Sequence, residues 1–158
     1  MVSRVIPVDP FDLVIFGGSG DLARRKILPG LFRRFVSGQM PPNAQIIGAA
    51  RSEFDQEQYR ALIKEAVCVF GNIEETHPEL TAFLNRLSYV QIDARGEGGW
   101  TELRDRMRPD IVRAFYFSVG PSLFGDIAER LRSMGLPKMT AASLWKNPLG
   151  TTLPVQGR

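Results

Sequence analysis

Four short apolar runs, each followed by a stretch with helical spacing, constrain this chain more than anything else in it. The runs are DLVIFGG (12–18), AQIIGAA (44–50), SYVQID (88–93) and the strand within IVRAFYFSV (111–119). They are too short for helices and too continuously apolar for half-exposed strands, so they read as parallel strands buried on both faces. Between them lie SGDLARRKILPGLFRRFVSG, SEFDQEQYRALIKEAVCVFG, HPELTAFLNRL and GGWTELRDRMR, and GDIAERLRSMG follows the fourth run. Strands that alternate with helices predict an α/β fold, a Rossmann-like parallel sheet with helices on both faces. With only the first four strands recognisable, that sheet is expected to be incomplete, its later strands missing.

Local signals refine the helices. Leu22, Ile27, Leu31, Phe32 and Phe35 keep near-helical spacing, but Pro29 and Gly30 interrupt them, which predicts a kink or two short helices. Ser52 with Asp55 three residues on resembles a capping box with Asp in the place of Glu. Gly135 suits the C-terminal stop of the last helix. No internal repeat or low-complexity segment is present.

The turn out of the first strand is the most informative local feature. In VIFGGSGDLARRK, Gly17, Gly20 and Ala23 stand at the G-x-x-G-x-x-A spacing, a relative of the dinucleotide-binding fingerprint. The first glycine permits a tight turn, the next ones let the backbone approach a pyrophosphate, and a small residue lets helix and strand pack closely. The helix N-terminus then favours the anion. The same spacing also serves a tight strand-to-helix turn with no ligand. The second strand bears on the choice of cofactor. NAD usually requires an acidic residue at its end for the ribose hydroxyls, whereas IIGAARSEF ends in Arg51 and Ser52. A guanidinium beside a hydroxyl suits a 2′-phosphate, hence NADP. Asp21, inside the turn, is a poor phosphate ligand and is expected to cap the helix or to be held by neighbouring N–H groups.

Composition excludes several alternatives. The net charge is +3 and the basic residues are scattered, with RRK at 24–26 and RR at 33–34 the only clusters. A nucleic-acid face would show a longer basic stripe with interleaved aromatics, so no nucleic-acid partner is expected. No run of about 18 apolar residues exists to cross a membrane. The opening MVSRVIPVDPFD is broken by Pro7 and Pro10 and is not expected to act as a secretory signal. One cysteine, Cys68, allows no internal disulfide and fits a reducing compartment, where it reads as a small core residue.

No catalytic constellation follows. His77 is the only histidine and sits beside Pro78. No metal-ligand spacing, Ser–His–Asp order or carboxylate pair stands out. A short-chain reductase would need Tyr-x-x-x-Lys, but Tyr59, Tyr89 and Tyr116 have Ile63, Asp93 and Gly120 four residues on. The residues alone reach the NADP-binding half of an oxidoreductase, or a free-standing NADP-sensing module without catalysis.

Longer stretches resemble a known family. FGGSGDLARRKILPGLF resembles the N-terminal signature of the glucose-6-phosphate dehydrogenases, usually GASGDLAKKK followed by an apolar-proline stretch. GAARSEF is similar to the family's G-x-A-R-S segment, and AFYFSVGPSLFGDIAERLRSMGL to the strand FYLALPP and its helix. The likeness covers about 11–136 in order, with Gly120 standing where the family often has proline. It implies oxidation of glucose 6-phosphate to 6-phosphoglucono-lactone with NADP, in the pentose phosphate pathway, by a cytoplasmic homo-oligomer. By matching motifs, the cofactor loop would be Gly17, Gly18, Ser19, Gly20, Asp21, Leu22, Ala23 and Arg24, with Arg51 and Ser52 at the 2′-phosphate. Asp93, Ala94 and Tyr116 would face the same cleft from strand ends. The family's EKP-x-G lysine motif and its D-H-Y-L-G-K-E catalytic segment do not occur in this chain. The substrate domain and the assembly surface are therefore expected to be absent, and the chain to be inactive alone.

After Leu136 the chain reads PKMTAASLWKNPLGTTLPVQGR. WKNPLG invites alignment with E-K-P-x-G, but its reading frame suggests another origin. The last base of the Trp145 codon and the first two of any lysine codon spell glutamate. With allowed codon choices, the same bases read one position earlier give V-V-E-K-P-V-G-H-D-L-A, the family motif. Residues 1–136 are thus expected to be the N-terminal part of the NADP-binding domain, and 137–158 an out-of-frame, disordered tail. Lys146 is not read as the substrate lysine.

Overall fold

The computed structural model describes residues 11–41, 43–93, 95–108 and 111–135. The expectations for Ala94 and for the tail at 137–158 lie outside the described residues. Four strands occur within them, β1 (Phe11–Phe16), β2 (Gln45–Ala50), β3 (Leu87–Gln91) and β4 (Val112–Phe117). All pair in parallel, in the order β3-β2-β1-β4. Consecutive strands step outward from β1 to β3, then the chain crosses back to lay β4 on the other side of β1. The crevice at that reversal, between the carboxyl ends of β1 and β4, is where open α/β sheets bind ligands.

Alternation along each strand divides the core. Leu13, Ile15, Ile46, Leu87, Tyr89, Ala114 and Tyr116 pack on one face, and Val14, Phe16, Ile47, Ala49, Val90 and Phe115 on the other. The first face is covered by α1 (Leu28–Val36), α2 (Gln56–Phe70) and α3 (Leu80–Leu84), the second by α4 (Trp100–Arg106) and α5 (Pro121–Ser133). The expected α/β sheet with helices on both faces is what the chain forms. Cys68 packs, partly buried, against the first cluster.

The interruption at Pro29 resolves into two helical segments. A π-helical stretch, Ala23–Ile27, leads into α1, and the Leu28 N–H donates to the Ala23 carbonyl five residues back. Pro29 brings no N–H, so the ladder changes register where a donor is lost. Two boundaries differ from expectation. The cap of α2 is Asp55 rather than Ser52: the Gln58 N–H donates to Asp55 Oδ1 at 2.7 Å and the Asp55 N–H to Gln58 Oε1 at 2.9 Å. The spacing to the amide three residues on satisfies the capping box one turn later than predicted. Helix α5 begins at Pro121 rather than Gly125, because proline suits a first helical turn, where its missing N–H costs nothing. Gly135, at φ +69°, follows its end as expected.

Two polar ties hold the sheet's margins. Asp12 is fully buried at the start of β1 and receives the Arg108 guanidinium at 2.6 Å and the Arg108 N–H at 2.8 Å. The edge strand β3 is clamped by α2: the Gln56 amide accepts from the Tyr89 N–H and donates to the Tyr89 carbonyl, both at 2.9 Å.

Candidate functional site

The chain leaves β1 through Gly17 and Gly18, wedged between the ends of its neighbours. The Gly17 and Gly18 N–H groups donate to the Ala49 carbonyl of β2 at 2.7 and 3.2 Å, and the Ser118 N–H to the Phe16 carbonyl at 2.8 Å. Gly17 has φ +84°, and a Cβ there would collide with the Ser118 carbonyl. A Cβ on Gly18 would come within 2.8 Å of the Gly48 Cα. Only a side-chain-free turn closes this gap. The Gly20 N–H then donates to the Gly17 carbonyl at 2.9 Å, and the Arg24 N–H to the Gly20 carbonyl at 3.1 Å, opening the helical stretch.

Beside this turn a cleft of about 350 Å³ opens along the carboxyl ends of the strands. Phe16 and Gly17 line it from β1, Ala50 and Arg51 from the end of β2, and Asp93 from beyond β3, with Val119 closing the β4 side. Arg51 is exposed, and among the described residues no ion pair engages its guanidinium. Its carbonyl accepts from the Gln91 amide at 3.0 Å. Ser52 is exposed next to it and, with the cap at Asp55, is free of any capping role.

Other predicted residues take different places. Asp21 does not cap; Arg25 one turn on donates to its carboxylate at 2.8 Å on the surface, a pairing worth little. Arg24 folds back so that its Nε donates to the Ser19 carbonyl at 3.1 Å, which braces the turn. Leu22 is half-buried, and Ala23 is fully buried where the helical stretch meets the sheet. Asp93 holds its own loop: its carboxylate accepts from the Arg95 N–H at 3.1 Å and its carbonyl from the Trp100 indole at 3.1 Å. Tyr116 requires correction. It does not face the cleft but lies fully buried in the opposite core face with Leu13 and Ile15, because register points Ala114 and Tyr116 to that side. Burial pushes its phenol up to about 12. His77 is structural, its ring edge against Phe32 and its Nδ1 accepting from the Glu79 N–H.

Sequence reasoning missed the layer beneath the turn. The buried Tyr59 hydroxyl donates to the Gly18 carbonyl at 2.9 Å. The Tyr89 hydroxyl reaches the carbonyls of Ala50 and Ser52, at 3.1 and 2.6 Å. The two rings stack with centroids 4.7 Å apart. Tyr59 lies where a Cβ on Gly48 would stand. The available signal was the glycine inside the strand IIGAA, a mark of close approach by another group.

A glycine cradle at the switch point of a parallel sheet, with a basic side chain across the cleft, is the arrangement of a dinucleotide-binding α/β domain. The features fit such a ligand: the turn that lines the cleft at Gly17 carries no side chain, and the Arg51 cation stands at the end of β2. The family model described as "Glucose-6-phosphate dehydrogenase, NAD binding domain" matches residues 14–153. The chain belongs to the glucose-6-phosphate dehydrogenase family, and what it matches is the cofactor-binding domain. It is 40% identical to the glucose-6-phosphate 1-dehydrogenase of Rhizobium meliloti strain 1021, over 97% of this chain and 32% of that protein. Against the enzyme of Gluconobacter oxydans strain 621H the identity is 42%, over 92% of the chain and 31% of the relative. The crystal structure of glucose-6-phosphate 1-dehydrogenase from Mycobacterium avium superposes with a TM-score of 0.76 at 29% identity, over 84% of this chain and 28% of that one. A glucose-6-phosphate dehydrogenase in complex with its substrate glucose-6-phosphate gives 0.73 at 26% identity, over 89% and 30%. The chain therefore spans about a third of the length of the relatives it matches.

Proposed function

We propose that this chain is the NADP-binding portion of a glucose-6-phosphate 1-dehydrogenase, with Gly17 to Arg24 at the pyrophosphate and Arg51 and Ser52 at the 2′-phosphate. The observation that carries this is the pairing of a side-chain-free turn at Gly17 and Gly18 with Arg51 across one cleft. The N–H groups of Gly17, Gly18 and Gly20 are already engaged within the turn. The phosphate donors in this reading are accordingly Ser19 and the first helical residues, Asp21 and Leu22, whose N–H groups a helix start leaves without intrahelical partners. Asp93 belongs to the same cleft wall, and the family motif adds Ala94.

When bound, the nicotinamide supplies the acceptor for the hydride that leaves C1 of glucose 6-phosphate as the lactone forms. The chain's own residues bind and orient the cofactor. The family's lysine and base motifs are not among them, so the chain alone is expected to bind without turnover. The single, partly buried cysteine supports a reducing, cytoplasmic setting.

Calorimetric titration of the 158-residue chain with NADP and NAD tests the reading. Arg51→Glu is expected to weaken NADP at least about tenfold, as loss of a charge-assisted phosphate contact requires, and to change NAD by less than about twofold. Equal loss of both, or loss of neither, would overturn the role of Arg51. For residues 137–158 we propose a single-base deletion near codon 137 that shifted the reading frame. The family match runs to residue 153, so NPLG also falls at family-like spacing in the chain's own frame. Sequencing the gene across codon 137 decides: an intact frame with no D-H-Y-L-G-K-E sequence downstream sinks the proposal.

A further inference from the structure

Two loops must be placed together for the cleft to discriminate NADP from NAD: the glycine turn and the segment after β2 that carries Arg51 and Ser52. Both are tied from below by one stacked pair of tyrosines. Tyr59, on α2, donates its hydroxyl to the Gly18 carbonyl at 2.9 Å. Tyr89, on β3, places its hydroxyl between the carbonyls of Ala50 and Ser52, with the shorter contact, 2.6 Å, to Ser52. The rings stack with centroids 4.7 Å apart and planes 28° from parallel, and both side chains are buried. Phe54, at the far end of the same segment, packs edge-on against Tyr89 at 5.5 Å. The segment 51–54 has no ladder bonds of its own, so its course depends on these contacts and on the Gln91 amide at the Arg51 carbonyl.

We infer that Tyr89 is a positioning residue for cofactor selectivity: its hydroxyl holds the Arg51–Ser52 segment at the 2′-phosphate, while Tyr59 separately holds the pyrophosphate turn. The division of labour follows from geometry. The Tyr89 hydroxyl meets the segment that would touch only the feature distinguishing the two cofactors, and besides it the Ser19 side chain of the turn, so the ratio of the two affinities, rather than either alone, reads its effect on selectivity. The Tyr59 hydroxyl meets the turn that would touch the part they share. A phenol is already protonated at neutral pH and burial pushes both of these further up, so both remain donors. This inference rests on the proposed reading of the cleft.

The test compares dissociation constants for NADP and NAD, by calorimetry on the full chain, for the unaltered protein, Tyr89→Phe and Tyr59→Phe. Each substitution keeps the ring and removes one hydroxyl. Tyr89→Phe is expected to weaken NADP by about fivefold, the worth of one hydrogen bond, while NAD changes by less than about twofold. Tyr59→Phe is expected to weaken both cofactors about equally and leave their ratio unchanged. Gln91→Ala, at an exposed position that keeps the core intact, is expected to lower the NADP-to-NAD affinity ratio by about twofold through the Arg51 carbonyl. A merely structural role for Tyr89 would lower the melting temperature without moving the ratio. An unchanged ratio in Tyr89→Phe and Gln91→Ala, with NADP still bound by the unaltered chain, overturns this inference alone. Failure of the unaltered chain to bind either cofactor overturns the functional reading, and the inference with it.

Discussion

Single positions decide whether the cleft exists. Gly17 carries a left-handed φ of +84° and faces the Ser118 carbonyl, so any side chain there is excluded twice, by torsion and by contact. Gly48 is excluded by contact alone, because Tyr59 occupies the space its Cβ would need. Gly48→Ala is therefore expected to cost about 1–3 kcal/mol by overpacking. Urea denaturation measures it, and a double-mutant cycle with Tyr59→Leu should show less than additive loss, since both changes act on one contact. Glycines in the fingerprint were legible in the sequence because spacing alone marks them. Gly48 was legible only as an oddity in a strand; its partner, 11 residues away in the chain, was not. Tyr116 shows the same limit. The residue is at a strand end as expected, yet the side of the sheet it faces follows from register, and register puts it in the core.

At the scale of elements, the margins of the sheet depend on charges that no periodicity reveals. Asp12 opens an apolar strand and is fully buried, and its partner Arg108 lies beyond α4, 96 residues on. Arg108 also donates to the Asn43 carbonyl at 2.6 Å, so one guanidinium joins the entries to β1 and β2. Removing the cation strands a buried carboxylate. Arg108→Met is expected to destabilise the chain by about 3–5 kcal/mol, and Asp12→Asn by less, because the amide leaves no buried charge unpaired. Equal costs in chemical denaturation would contradict that account. Helix existence was readable from apolar spacing, and the break at Pro29 from its missing donor. Helix starts were less so. Ser52 and Asp55 both offer a capping oxygen, and the choice fell to Asp55 because Tyr89 holds Ser52's carbonyl in the non-helical bend after β2.

Across the whole molecule, all three tyrosines of the chain are buried in the same core face. Burial raises Tyr89 and Tyr116 from the ordinary value of 10 to about 12, with a nearby Ser19 hydroxyl pulling Tyr89 slightly the other way. Tyr59 is raised further, by burial first and by Tyr89 beside it. A phenol raised on folding contributes stability that is fully present below its unfolded value and is lost as pH climbs through the folded one. Stability is thus expected to hold up to about pH 10 and to fall between 10 and 12. Phenolate absorbance should appear together with unfolding; tyrosine titration near 10 in a chain that stays folded would contradict the packing.

By itself the sequence determined the alternation of strands and helices, the glycine turn after β1, the basic end of β2 and the likeness to one dehydrogenase family. Those properties are local, written in the period of apolar residues and in a few adjacent side chains. Only the tertiary structure decided that Tyr59 and Tyr89 stack beneath the turn, that Arg108 neutralises Asp12, and that Tyr116 faces away from the cleft. Each of these depends on groups brought together by strand order and register, and register turns a shift of one residue into a change of face.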